Sequence, residues 1–327
     1  MNEDWLGGSD TAPAVLVTVA AVKGSVPREA GAKMLVRATD FDGTIGGGHL
    51  EQRALEIARA ILQAGAAPHI ERFPLGPSLG QCCGGVAWLA FEHAAADQLD
   101  LLRARRNLDT WRITSLDDMR ATALFDDNGS LLAGALAMPA FERAGGARVL
   151  EQGGRRWLVD PVLAPRHHLM LFGAGHVGAA IVRALAALPC RVTWVDERDA
   201  QFPRDVPANV TIEATDTPLT LIAAAAPGAS FLVMTHSHAL DLQLCHAILA
   251  RPSKDWFGLI GSSTKRHQFE ARLHERGVDA AKLSAMVCPV GLPGIDGKAP
   301  AVIAASVAAQ LLTVWEAAHP ERIPGIF

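Results

Sequence analysis

The sequence contains no tyrosine. That removes every mechanism needing a phenol as general acid, including the Tyr-x-x-x-Lys arrangement of short-chain dehydrogenases. Disulfide chemistry is equally short of material: Cys82, Cys83, Cys190, Cys245 and Cys288 are odd in number and the first two adjoin, so no disulfide framework is implied. Long hydrophobic runs are also missing. Ala299 to Trp315 is an uncharged stretch of 17 residues, but it includes Pro300, Ser306 and Gln310, and Thr217 to Ser230 is cut by Pro218 and Pro227. Neither is expected to span a membrane. There is no basic block, because 30 Lys and Arg stand against 34 Asp and Glu for a formal charge of -4. Nucleic acid and an anionic membrane are therefore not expected as partners. Met1 to Asp10 is acidic with Gly and Ser, the reverse of a secretory signal, so a cytoplasmic protein is expected.

What is present is a folding sequence of 327 residues, 50% hydrophobic and 20% charged, a length that carries about two domains. Pro13 to Val22 and Ala32 to Arg37 read as strands separated by the punctuation Lys23-Gly24-Ser25-Val26-Pro27-Arg28. Gly46-Gly47-Gly48-His49 leads into Leu50 to Ala64, where Leu50, Ala54, Leu55, Ile57, Ala58, Ile61 and Leu62 recur at helical spacing. His69 to Phe73 and Val86 to Glu92 read as further strands around a Gly/Pro/Cys loop. From Trp111 to Leu163 two hairpin signals, Asn128-Gly129 and Gly153-Gly154, predict a small antiparallel ribbon joining the halves. The domain boundary is placed near Pro161 to Pro165, giving domains 1–163 and 164–327. The fold class is α/β: an N-terminal α/β domain with the ribbon, then a C-terminal Rossmann-like, doubly wound domain.

The second half carries the clearest pattern. His168 to Phe172 is an apolar strand, Gly173-Ala174-Gly175-His176-Val177-Gly178 follows, Ala179 to Leu188 is helical, and Arg191 to Val195 is a strand ending at Asp196. A strand, G-x-G-x-x-G, a helix and an acid 18 residues after Gly178 form the dinucleotide-binding fingerprint in its proper context. The glycines bring backbone N–H groups to a helix N-terminus, where phosphate is favoured. Asp196 either accepts from a ribose hydroxyl or is a solvated strand end. Thr235-His236-Ser237-His238, at the end of the strand Ser230 to Met234, would face the crevice of such a sheet. His236, His238 and Asp241 offer three metal ligands, yet nothing completes a set at defined spacing, so no metal site is assigned.

Two features of the first half point to chemistry. In Leu79-Gly80-Gln81-Cys82-Cys83-Gly84-Gly85 the flanking glycines open the backbone and no apolar run surrounds the thiols. That favours soft-metal ligation or sulfur transfer over packing, whereas Cys190, Cys245 and Cys288 read as small buried hydrophobes. The Gly46-Gly47-Gly48 loop is either a second phosphate site or a tight strand-to-helix turn. Arg28 is either an additional anion contact or an exposed loop residue.

Taken together these residues resemble the XdhC/CoxI family, the xanthine dehydrogenase accessory proteins. The resemblance rests on Gly24 to Arg28, Gly31 to Met34, Gly43 to Glu51, Leu79 to Gly85, Gly173 to Gly178, Thr235 to His238, Gly258 to Ser262 and Pro289-Val290-Gly291, in order over nearly the whole chain. The double-cysteine loop is similar to the XdhC branch in particular. Some relatives carry Cys where this chain has His49, so a thiol role does not transfer to that position. The resemblance implies a cofactor-binding maturation factor more than a stand-alone enzyme. Such a protein binds molybdenum cofactor (molybdopterin), protects it, supports exchange of an oxo for a sulfido ligand with a cysteine desulfurase, and hands it to xanthine dehydrogenase. It also implies a homodimer. On this reading Cys82 and Cys83 act on the metal centre, and Arg28, Gly46, Gly47, Gly48, His49, Gly173, Gly175, Gly178, Asp196 and His236 contact the cofactor. The alternative is an NAD(P)-dependent oxidoreductase using the fingerprint.

Overall fold

The computed structural model describes residues 4–7, 12–76, 84–118, 121–134, 138–143 and 145–318. The chain divides into two compact units, Met1–Pro165 and Arg166–Gly325.

In the first unit the elements are β1 (Val15–Lys23), β2 (Lys33–Val36), β3 (Phe41–Gly43), α1 (Gly48–Ala64), β4 (His69–Pro74), β5 (Val86–His93), α2 (Ala96–Ala104), β6 (Thr110–Ser115), β7 (Thr122–Phe125), β8 (Leu131–Gly134), β9 (Arg148–Gln152) and β10 (Arg155–Val162). They form two antiparallel sheets, in the orders β3-β2-β1-β5-β4 and β8-β7-β6-β10-β9. Strand β1 is buried on both sides because its alternating residues meet different partners. Val15, Val17 and Val19 face Leu50, Ala54, Ala58 and Ile61 of α1, which recur one turn apart on a single helix face. Leu16, on the opposite side, packs with Leu99 and Leu102 of α2, Leu124 of β7 and Val162 of β10. Helix α1 stops at Gly65, whose left-handed backbone (φ 61°) lets its N–H reach the Ile61 carbonyl.

The predicted ribbon is broader than its hairpin signals imply. Hairpins β7–β8 and β9–β10 do form, but β6 and β10 pair from Thr110↔Val162 to Ser115↔Trp157 and join them into a five-stranded sheet of this unit. Four buried charges tie the two sheets. Lys33 of β2 and Arg112 of β6 both hold Asp160 of β10, at 2.7 and 2.9 Å, and Arg112 also holds Glu92 of β5 at 2.6 Å.

The second unit alternates strand and helix: β11 (His167–Phe172), α3 (His176–Leu185), β12 (Cys190–Asp196), β13 (Val210–Ala214), α4 (Pro218–Ala224), β14 (Ser230–Val233), α5 (His238–Ala250), β15 (Trp256–Leu259), α6 (Ser263–Glu275), α7 (Ala280–Ser284) and α8 (Pro300–Ala317). Its parallel sheet has the order β13-β12-β11-β14-β15. Met170 and Phe172 of β11 face α4, α5 and α6, while Leu169 and Leu171 face α3 and α8, the two covered faces of a doubly wound sheet. Helix α8 is long and apolar enough to cross a membrane by length and composition. Here Ala304, Val307, Ala308, Leu311 and Trp315 are buried in the core with α3, and Trp315 Nε1 donates to Ser230 Oγ at 3.0 Å.

Candidate functional site

The strand order reverses direction at β11, so the crevice lies at the C-terminal ends of β11, β12 and β14. The three fingerprint glycines play different parts there. A Cβ on Gly173 (φ 122°) would lie 2.4 Å from the Met234 carbonyl oxygen, and one on Gly178 would lie 2.2 Å from the Gly173 carbonyl oxygen. These two are required by close approach. Gly175 is not: its φ of -76° suits any residue, and a Cβ there would meet nothing within 4 Å. Gly175 caps α3 with no side-chain hydrogen bond and no acid in the first turn, whereas α5 and α6 are capped by Ser237 and Ser262. No side chain caps the first turn of α3, whose partial positive charge favours an anion.

Asp196 is neither a solvated strand end nor a carboxylate free to take a ribose. It is 6% exposed. Its Oδ2 accepts from Ala174 N at 2.7 Å and Arg198 Nη2 at 3.0 Å, and its Oδ1 accepts from Arg198 N and Nε at 3.0 and 2.9 Å. Burial alone would raise this carboxyl; hydrogen bonds from Arg198 and Ala174 outweigh it and hold the group at about 2. Trp194 Nε1 fixes the other side of the loop by donating to Gly173 O at 2.9 Å.

His236 borders the crevice with Phe172, Asp196, Glu197 and Thr235. Its Nε2 lies 3.5 Å from Glu197 Oε1. The His236, His238 and Asp241 set is not assembled. His238 packs edge-on to the Phe269 ring, and Asp241 is buried, accepting from Thr235 N, Thr235 Oγ1 and Lys265 Nζ at 3.0, 2.7 and 2.7 Å. Among the described residues no three His, Cys, Asp or Glu side chains gather as for a metal. Cys190, Cys245 and Cys288 are buried, and burial pushes all three thiols up, Cys190 to about 11.

In the first unit the loop before α1 has a different fate. Gly46, Gly47 and Gly48 all have positive φ, and a Cβ on Gly46 would lie 2.4 Å from Pro27 Cβ and 3.3 Å from Arg28 Cγ. The structure thus brings Arg28 to the loop, where it also pairs with Glu29 at 3.5 Å. Several of the loop's donors, however, are already used. Glu51 Oε2 accepts from Thr44 Oγ1, Ile45 N and Gly47 N at 2.5, 3.0 and 3.2 Å, and Gly46 N donates to Thr44 Oγ1. Glu51 thus places a carboxylate against the loop, which makes it a poorer phosphate site than the start of α3, although no side chain caps α1 either. His49 is the second residue of α1.

Cys82 and Cys83 lie outside the described residues. The base of their loop is described: Leu75 and Gly84–Gly85 exchange backbone hydrogen bonds at 2.8 Å, and a Cβ on Gly85 would lie 2.1 Å from the Ser25 carbonyl oxygen. Three motifs separated in sequence therefore converge here, around Gly24 to Arg28. Reading the sequence missed Arg198, Glu51, Thr235 and Lys265 as partners. The first-turn acid of α1 was a visible signal for Glu51; the others depend on tertiary contacts.

Comparison with known proteins follows the same division. A family model described as the XdhC Rossmann domain matches residues 169–311, and one described as the XdhC and CoxI family matches residues 9–74. A solved structure described as a xanthine dehydrogenase from Bacillus halodurans aligns with a TM-score of 0.72 at 22% identity, covering 98% of this chain and 96% of that one. At that identity the likeness is one of fold. An uncharacterized protein, YqeB of Escherichia coli (strain K12), is 28% identical over 163 residues, which is 50% of this chain and only 30% of the length of that relative.

Proposed function

The chain belongs to the XdhC and CoxI family, and from that premise we propose that it is a maturation factor for xanthine dehydrogenase. It binds molybdenum cofactor, shields it, supports its sulfuration together with a cysteine desulfurase, and delivers it to the enzyme, acting as a homodimer. What supports this reading is the start of α3, which no side chain caps and where a Cβ on Gly175 would meet nothing within 4 Å. When bound, molybdopterin supplies a phosphate, a fused heterocycle and a dithiolene-held metal. The loop Gly173 to Gly178 suits the phosphate, and His236 at the rim suits the ring system. The Gly46-Gly47-Gly48 loop is the poorer phosphate site of the two, because Glu51 already sets a carboxylate on Ile45 N and Gly47 N. Arg28 and His49, beside that loop, are further contacts to the cofactor. Cys82 and Cys83 are the thiols that approach the metal.

The alternative, an NAD(P)-dependent oxidoreductase, wants a strand-end acid free to accept from a ribose. Asp196 has both oxygens committed to Ala174 and Arg198, which weighs against NAD. The test is activation of cofactor-free xanthine dehydrogenase in the presence of released cofactor and a cysteine desulfurase. The chain should increase activation, and Cys82→Ser/Cys83→Ser should abolish the gain while remaining folded, since Ser preserves size without soft sulfur. No gain from the wild-type chain would overturn the function; full gain from the double variant would overturn the role of the thiols.

A further inference from the structure

Two acids stand in succession at the end of β12, and they differ in what they are free to do. Asp196 is buried and spends both oxygens on its own loop. Its carboxylate holds Arg198 N and its backbone carbonyl accepts from Thr215 N at 3.1 Å, so the backbone of Glu197, between them, is held in place. The Glu197 side chain is 44% exposed and borders the crevice. Among the described residues it accepts no hydrogen bond, and its ion-pair partner is His236, with Nε2 at 3.5 Å. Beside these two the lining is largely apolar, with Phe172, Val195, Pro218 and Leu240. A carboxylate only accepts, and it accepts best from two N–H groups side by side. Apolar walls suit the face of a flat ring. A ribose diol also donates twice, but its puckered ring offers no flat face to such walls.

We propose that Glu197 is the specificity-determining residue of the crevice and reads two adjacent N–H donors on a flat heterocycle, the 2-amino group and N3–H of a pterin. This rests on the reading that the chain carries molybdopterin, whose pyrimidine ring has that edge. The acid at the position of the fingerprint, Asp196, organises the loop; its successor meets the ligand, and the phosphate is left to the start of α3.

The full chain, as wild type, Glu197→Gln and Glu197→Ala, is titrated with pterin and with lumazine, which carries an oxygen in place of the 2-amino group, both rings being neutral. A separate arm measures retention of molybdopterin on size filtration. The wild type should bind pterin more tightly than lumazine by about tenfold or more, because the lumazine oxygen sets its lone pairs against a carboxylate. Glu197→Gln keeps the shape of the side chain but offers one donor and one acceptor, the complement of the lumazine edge, so the preference should reverse. Glu197→Ala, at the same exposed position, should lose the preference without reversing it. These results support the proposal whether or not molybdopterin is retained, and a failure of retention then overturns only the carrier reading. Equal binding of the two rings by the wild type, a pterin preference unchanged in either variant, or binding of neither ring overturns the proposal. Molybdopterin retained in any of those cases leaves the carrier reading standing. A third arm with NADH shows whether, where neither ring binds, a ribose diol is the donor pair instead. The ratio of pterin to lumazine is read first on the wild-type chain, so folding of a variant does not decide the outcome.

Discussion

The loop Gly46-Gly47-Gly48 enters α1 with Glu51 folded back onto its N–H groups, whereas Gly173 to Gly178 enters α3 with no side chain folded back. Both are glycine loops between a strand and a helix, and both concentrate orphan donors at a positive helix end. They part at the first turn. Helix α1 has an acid there, Glu51, and helix α3 has none. Glycine spacing therefore reports where the backbone bends and approaches closely. At α1 the helix itself supplies a carboxylate to the loop, whereas at Gly173 to Gly178 the Asp196 carboxylate takes only Ala174 N and no acid stands in the first turn of α3.

The comparison can be broken most forcefully at the close-approach glycines. Gly178→Ala would place a methyl 2.2 Å from the Gly173 carbonyl oxygen, and Gly46→Ala would place one 2.4 Å from Pro27 Cβ in a left-handed backbone (φ 118°). Each should cost about 2–3 kcal/mol in denaturant unfolding, the overpacking and strain range. A loss under about 1 kcal/mol would remove the close-approach account of that loop.

Next is Glu51→Ala, which strands the N–H groups of Ile45 and Gly47 and the Thr44 hydroxyl. The expected destabilisation is about 1–2 kcal/mol, comparable with losing a helix cap, with no effect on ligand retention. Loss of retention would mean that the first loop is a site after all.

A smaller effect separates the loops by pH. Asp196 is held at about 2 against an ordinary 3.8, so its carboxylate contributes stability that is fully present above about pH 4 and is lost as pH falls toward 2. Thermal melts over that window should show the wild type losing more stability than Asp196→Asn, whose side chain does not titrate. Parallel curves would contradict the clamp by Arg198 and Ala174.

Much of this was legible from residue order. The run His168 to Phe172, the three glycines and the apolar Arg191 to Val195 identified a parallel sheet because each signal is local and they agree. Leu50 to Ala64 identified α1 for the same reason. The β6–β10 pairing was not legible, since Thr110 and Val162 are brought together only by the fold. Nor was the cluster Lys33, Glu92, Arg112 and Asp160, whose members lie on four strands and look like ordinary charged residues in sequence. Asp196 shows the sharper limit. Its position at a strand end was correct, but its neighbour two residues on had already taken the bonds offered to a ligand.

The central claim is that the open start of α3 receives the cofactor's phosphate, and Gly175→Val tests it most directly. A branched side chain there meets no protein atom within 4 Å of its Cβ, so stability should change by less than about 1 kcal/mol. Molybdopterin retained on size filtration, read as pterin fluorescence after oxidation, should fall by about tenfold or more in Gly175→Val, the cost of lost contacts to a charged group. Wild type and Glu51→Ala should retain it equally. Undiminished retention by a folded Gly175→Val chain would contradict the claim and leave the glycine fingerprint a packing feature alone.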